Sequence, residues 1–199
     1  MKQLVVATNN RHKLREIKTI LGDMGVDLLT LDDFPGIPPL VEDGETFQEN
    51  ALKKARTVHR HTKLPALADD SGLEVFYLNM RPGVRSARYA GDSASDTDNN
   101  DKLLIEMRGV APRRRRVQFR SVLALVDEGY EELTEGICTG VLAETPRGTN
   151  GFGYDPLFLP DGMKVTYAEL SDSEKNTISH RAKSLATMKP LLTKHRPEF

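Results

Sequence analysis

One cysteine in 199 residues, Cys138, cannot close an internal disulfide, so the chain is expected in a reducing cytoplasm. Long hydrophobic runs are missing as well. The longest, at 4–7 and 122–126, are strand-sized, far short of the ~20 residues that a membrane span needs. Met1-Lys2-Gln3 leads directly into the first of these runs, which reads as a start without a signal peptide. Neither sign of charge is in surplus: 28 Lys+Arg oppose 29 Asp+Glu, for a formal net charge of -1 with histidine neutral. That balance speaks against a non-specific nucleic-acid binder and equally against an acidic disordered chain. Internal repeats, low-complexity stretches and flexible linkers are also absent. What is present suffices for a core: 38% of residues are hydrophobic, consistent with one domain or two tight lobes spanning residues 1–199.

The elements follow from the periodicity. Leu4-Val5-Val6-Ala7 reads as a buried strand, and from Lys13 the pattern Leu14, Ile17, Ile20, Leu21 reads as a helix that Gly22 can close. A proline-rich loop follows, ending in a capping box, Thr46-Phe47-Gln48-Glu49, ahead of a helix with Phe47, Ala51, Ala55 and Val58 on one face. Ala66-Leu67-Ala68 reads as a brief strand that stops at Asp69, with a further strand over 74–78. Residues 95–98 can cap a helix carrying Leu103, Leu104 and Met107. From Val117 the period becomes two, through Phe119, Ser121, Leu123 and Leu125, and the turn Asp127-Glu128-Gly129 predicts a hairpin with a return strand over 137–143. A short strand at 157–159 and a C-terminal helix through Ile178, Ala182, Leu185 and Met188, interrupted at Pro190, complete the reading. Strands and helices alternate early and a hairpin lies in the middle, so the expected fold is α/β with a mixed sheet and flanking helices.

Several segments carry candidate chemistry. Thr8, Asn9, Asn10, Arg11, His12 and Lys13 lie between a strand and a helix, where free amides and the lysine favour an anion such as phosphate. An ordinary polar turn would look the same, and the P-loop spacing is missing. Asp69-Asp70-Ser71-Gly72 crowds two carboxylates at the end of a buried strand, which requires a cation or donors to offset it unless the turn is simply solvated. With Glu42 and Asp43 these are hard oxygen ligands suited to Mg²⁺, and zinc-type histidine spacing is lacking. Gly151-Phe152-Gly153-Tyr154-Asp155-Pro156 combines glycines that admit close approach with aromatics that can stack on a base or fill a core. Lys175, His180 and Arg181 place three cations near the C-terminus. The arginine run at 113–116 lacks interleaved aromatics, His59 and His61 lack metal-ligand spacing, and Cys138 reads as packing.

Taken in order along the chain, these segments resemble the inosine/xanthosine triphosphate pyrophosphatase family. The resemblance rests on Ala7-Thr8-Asn9-Asn10 with Lys13, on Glu42-Asp43-Gly44-Glu45-Thr46-Phe47 with Glu49-Asn50-Ala51, and on Ala68-Asp69-Asp70-Ser71-Gly72-Leu73. It continues in Ser86-Ala87-Arg88-Tyr89-Ala90-Gly91, the segment 151–156, and Lys175 with Ile178-Ser179-His180-Arg181. It implies an elongated mixed sheet in two lobes with a nucleotide cleft between them, and a homodimer. It also implies Mg²⁺-dependent hydrolysis of ITP, dITP or XTP to the monophosphate and pyrophosphate. By the same resemblance residues 8–13 hold the triphosphate and Glu42 and Asp70 bind Mg²⁺ with Asp69 close by. Asp70 is the general base, Ser71 contacts substrate, and Phe152, Gly153, Tyr154, Asp155, Lys175, His180 and Arg181 bind the nucleotide and read its base. Asn150 departs from the family pattern, which usually has glycine there. Two other readings stand beside this one: a related pyrophosphatase for pyrimidine or modified nucleotides, and a nucleic-acid binder acting through the arginines at 113–116.

Overall fold

The computed structural model describes residues 3–195; Met1 and Lys2, read above as the start, lie outside the described residues. The first apolar run forms β1 (Gln3–Val6), and the helix that follows is α1 (Arg11–Leu21), capped by the Asn10 side chain. Gly22 caps its C-terminal end as expected, in a right-handed conformation; the chain continues through a 3₁₀ turn, and Gly25 at φ 64° makes the reversal into β2 (Asp27–Leu29). The predicted capping box starts α2 (Phe47–Thr62), which leads into β3 (Ala66–Val75). Then come α3 (Asp96–Glu106), β4 (Arg116–Asp127), β5 (Tyr130–Leu142) and β6 (Phe158–Pro160). Two helices close the chain, α4 (Asp172–Ile178) and α5 (His180–His195).

The sheet has six strands in the order β2-β1-β3-β4-β5-β6. β1 runs parallel to β2 and β3, and β5 antiparallel to β6, so the sheet is mixed as expected. Where the sequence suggested one interrupted C-terminal helix, the break falls at extended Ser179, and Pro190 sits inside α5. A proline early in a helix loses little, but at this depth it removes a backbone donor, and the apolar face of α5 compensates. β4 is buried along nearly its whole length, so its period of two does not mark a solvent face. Among the described residues no helix is long and apolar enough to cross a membrane.

The chain divides into two compact units. One holds the chain up to Asp70, residues 121–136 and the chain from His180; the other holds residues 71–120 and 137–179. The first has a core of Leu4, Val6, Ile17, Leu67, Leu123, Leu185 and Met188, among others. The second is built on Leu73, Leu103, Met107, Phe119, Phe158 and Tyr167, with the Phe119 and Phe158 rings 4.8 Å apart. In the first unit β5 lies directly against the start of α5. A Cβ on Gly136 would come within 2.0 Å of the His180 carbonyl oxygen, so only glycine permits that approach.

Candidate active site

Asp69 and Asp70 do not follow a strand; they lie inside one. The expected stop after Ala68 is absent, β3 continues to Val75, and the two residues are only 1% and 5% exposed. Successive residues of a strand face opposite sides, so one carboxylate serves each face. The strand survives two adjacent buried acids because cations and donors from remote segments meet each of them.

On the Asp69 side, Oδ2 accepts from Lys13 Nζ at 2.8 Å and from the Arg181 guanidinium at 3.1 Å, while Oδ1 accepts from Ser121 Oγ at 2.6 Å. Arg181 extends its other terminal nitrogen to Glu16 on α1. Burial alone would push Asp69 up, but Arg181, Lys13 and Ser121 together hold its carboxyl well below the usual carboxylate range. Arg181 is likewise held above its ordinary value: the loss it would suffer from burial is outweighed by Asp69 and Glu16. At the head of α1, Asn10 Oδ1 accepts from the amides of His12 and Lys13 at 2.9 and 3.1 Å, and Thr8 Oγ1 accepts from the Asn10 amide. Asn9, Asn10, Arg11 and His12 are exposed, whereas the Lys13 side chain retains only 12% exposure.

The Asp69 pairing sets a pH dependence. A folded-state value depressed below the ordinary ~3.9 contributes stability that is complete above that value and is lost as pH falls through the folded one. Unfolding free energy of the metal-free protein is therefore expected to fall on acidification below about pH 4, and less so in Asp69→Asn; equal slopes in the two proteins would contradict the pairing.

On the Asp70 side a second lysine takes over. Lys54 Nζ lies 2.5 Å from Glu42 Oε1, 3.1 Å from Asp70 Oδ1 and 2.8 Å from the Asp69 carbonyl oxygen. Asn50 Nδ2 donates to Asp70 Oδ2 at 3.1 Å, and its own Oδ1 accepts from the Gly44 amide at 2.8 Å, tying the loop that carries Glu42 to β3. Burial pushes the Asp70 carboxyl up, and Glu42 adds to this, against the opposing pull of Lys54 and Lys13. Glu42 and Asp70 thus converge on a single positive charge. Two hard carboxylates with no histidine or cysteine fit Mg²⁺, which takes one or two carboxylates and completes its shell with water and phosphate oxygens. Among the described residues no cluster of three or more His, Cys, Asp or Glu offers a closed metal cage. Asp69 stands apart from this pair, engaged by Lys13, Arg181 and Ser121.

Of the remaining predicted site residues, His180 belongs to the first unit and the others to the second. Lys175 Nζ lies 2.5 Å from Asp155 Oδ2 and 4.9 Å from the centre of the Phe152 ring. The Phe152 amide donates to the same Asp155 oxygen at 2.9 Å, and Gly151, at φ 75°, leaves no room for a Cβ, which would sit 2.0 Å from it. Gly153 is pinned by Asp96 on one side and Asn100 on the other. Of the two readings open for these aromatics, Tyr154 takes the core one: it is buried and its hydroxyl donates to the Ser86 carbonyl at 3.0 Å. Phe152 is the partly exposed ring. Asn150, the departure from the family pattern, donates to the Leu170 carbonyl at 2.9 Å and so closes the loop from outside. Ser71 follows Asp70 in β3 and is partly exposed, and His180 is buried as the first residue of α5.

Three of the four arginines at 113–116 make contacts within the fold. Arg115 is buried and donates to the carbonyls of Leu142, Met107 and Ala143; Arg116 pairs with Asp161, and Arg114 lies over the Tyr77 ring. Cys138 is a buried free thiol. Sequence reasoning missed Lys54, Asn50, Glu16 and Ser121. The first two had a signal: they sit at helical spacing inside the apolar stripe of α2, where a lysine and an asparagine are out of place unless paired.

The fold and site define a mixed α/β protein whose β3 carries two buried acids, each met by a lysine from another segment. The chain belongs to the Ham1 family, whose profile matches residues 4–191. Among its relatives, the dITP/XTP pyrophosphatase of Geobacter sulfurreducens is 52% identical over 190 residues, covering 95% of this chain and 96% of that one. The dITP/XTP pyrophosphatase of Bacillus licheniformis is 48% identical, covering 96% and 98%. Of solved structures, a HAM1 protein from Coxiella burnetii superposes with a TM-score of 0.89 at 41% identity, covering 98% of this chain and 100% of that one.

Proposed function

We propose that this chain is a dITP/XTP pyrophosphatase, hydrolysing dITP, ITP and XTP to the monophosphate and pyrophosphate. The observation that carries the reading is the convergence of Glu42 and Asp70 on one cationic point, with Lys13 held beside them by Asp69. Family membership, and relatives of that activity matched over nearly their full lengths, support it.

In this reading Glu42 and Asp70 hold Mg²⁺, which when bound supplies charge neutralisation to the polyphosphate. Asp70 accepts the proton of the attacking water, and burial, which makes its carboxylate a stronger base than a solvated one, suits it to that role. Lys13 and the loop at 8–13 hold the phosphates, and the Lys13 ammonium offsets charge on the departing pyrophosphate. Asp69 orients Lys13 and is placed here rather than among the metal ligands. Ser71 contacts substrate, Phe152, Gly153, Asp155 and Lys175 bind the nucleoside, and the His180 ring donates to the 6-keto oxygen. Arg181, expected to read the base, is instead engaged by Asp69 and Glu16 and holds Asp69. Adenine presents a 6-amino donor to a donor, and such buried mispairing gives strong discrimination. The assembly is a homodimer in the cytoplasm, on the family resemblance and the single buried thiol.

A substrate panel tests the reading. With Mg²⁺, dITP and XTP are expected to release pyrophosphate at least ~100-fold faster in kcat/KM than ATP, and EDTA is expected to abolish turnover. Release of orthophosphate alone, or equal turnover of ATP, would sink it.

A further inference from the structure

Two side chains of α3 hold the residue next to the Phe152 ring, and the reaction described so far uses neither. The Gly153 amide donates to Asp96 Oδ2 at 2.6 Å, and the Gly153 carbonyl accepts from Asn100 Nδ2 at 3.0 Å. Asp96 and Asn100 stand four residues apart in α3 and so share one face of it. One fixes the peptide plane before Gly153 and the other the plane after it. Gly153 lies in the left-handed region at φ 61°, and the pair removes the rotational freedom that a glycine brings.

The orientation of Asn100 follows from its partner. A carbonyl only accepts, so the amide nitrogen faces Gly153 and Oδ1 takes the other branch. Asn100 is 7% exposed, and that Oδ1 is buried with no donor among the described residues. An unmet buried acceptor costs stability, so Asn100 is a poor packing residue whose contribution is its donor to Gly153. Its neighbour Asn99 differs: it accepts from the Ala90 amide and donates to the Ala87 carbonyl, bonds that belong to the fold.

Phe152 is bracketed by these contacts. Its amide donates to Asp155 Oδ2 at 2.9 Å, and its carbonyl accepts from the Asp155 amide at 3.2 Å. Those bonds lie inside the loop and set its shape, whereas Asp96 and Asn100 tie that shape to a helix outside it. We propose that Asp96 and Asn100 are positioning residues for nucleoside binding: by clamping Gly153 they keep the Phe152 ring where a purine base can stack on it. This rests on the reading of Phe152 as a nucleoside contact.

The test is steady-state kinetics with dITP and Mg²⁺, beside direct titration of inorganic tripolyphosphate, which has no base. Asn100→Ala is expected to raise KM for dITP about tenfold, with kcat within about threefold and tripolyphosphate binding within about twofold. Asp96→Ala, at an exposed carboxylate, is expected to raise KM about threefold. Asp96→Asn, which keeps an acceptor for the Gly153 amide, is expected to restore it. Phe152→Ala removes the ring and is expected to raise KM about tenfold or more. In that background Asn100→Ala is expected to add less than about twofold, because it acts through the ring. A purely structural role would lower the melting temperature and leave KM where it was, and that result overturns the proposal. So does tripolyphosphate binding that weakens as much as KM rises, or a full tenfold loss for Asn100→Ala in the Phe152→Ala background. If Asn100→Ala does not fold, an unchanged KM in Asp96→Ala overturns it instead. Phe152→Ala with the wild-type KM removes the reading of Phe152, and the proposal with it. Wild-type protein that turns over no dITP overturns the assigned reaction and everything resting on it, a failure visible before any variant is compared.

Discussion

Asp70→Asn is expected to lower kcat by about 10³- to 10⁴-fold while the protein stays folded. The amide is nearly isosteric and keeps one acceptor for Lys54, losing the Asn50 hydrogen bond, but it takes no proton from water and is a poor ligand for a hard cation. Stability should not fall with activity. Burial raises the Asp70 carboxyl above its ordinary value, so its charged form costs folding free energy at every pH above that of the unfolded chain, about 3.9. Removing the charge removes that cost, while Lys54 keeps Glu42 and the Asp69 carbonyl. The measurement is turnover paired with thermal unfolding at pH 7. A variant with more than a tenth of wild-type turnover would refute the assignment of the base. One that melts far below the wild type would show Asp70 to be structural.

The largest loss of stability is expected from Arg181→Ala, about 3–5 kcal/mol by denaturant titration. Arg181 is 1% exposed and bridges Asp69 of β3 and Glu16 of α1 from the first turn of α5. Truncation takes the guanidinium from a fully buried carboxylate and opens a void of its size. Lysine is not an adequate replacement, because one ammonium does not reproduce a planar fork addressing two carboxylates at once. Arg181→Lys is therefore expected to recover less than half of the loss. A cost below about 1 kcal/mol for Arg181→Ala would mean that water reaches Asp69 and that the pairing contributes little.

Much of the architecture can be read from local pattern, because it depends on neighbours in the chain. The strand–loop–helix start, the helix caps at Thr46 and Ser95 and the β4–β5 hairpin are of this kind. Where the reading of β3 failed, the cause was remote. Two adjacent acids end a strand unless their charge is met, and the residues that meet it, Lys13, Arg181 and Lys54, come from three other segments. The same limit explains Tyr154. Its hydroxyl finds Ser86, 68 residues away, and nothing near position 154 announces that partner. The family resemblance named Glu42, Asp69, Asp70 and Lys13 together because it carries spatial information that periodicity lacks. It gave no role to Lys54 or Asn50, although their place within an apolar stripe marked them as polar groups in need of partners.

The alternation of β3 gives two chemically identical neighbours opposite lives: one carboxyl pulled down, the other pushed up. This makes the site sensitive to phase. Losing or gaining a single residue between Pro65 and Asp69 would preserve composition, hydrophobicity and nearly all of the sequence. It would also turn every side chain beyond it to the other face, transposing the aspartate that anchors Arg181 and the one that meets Glu42. Substitutions at Ala66, Leu67 or Ala68 can be judged by size and polarity, whereas length at that point is not negotiable.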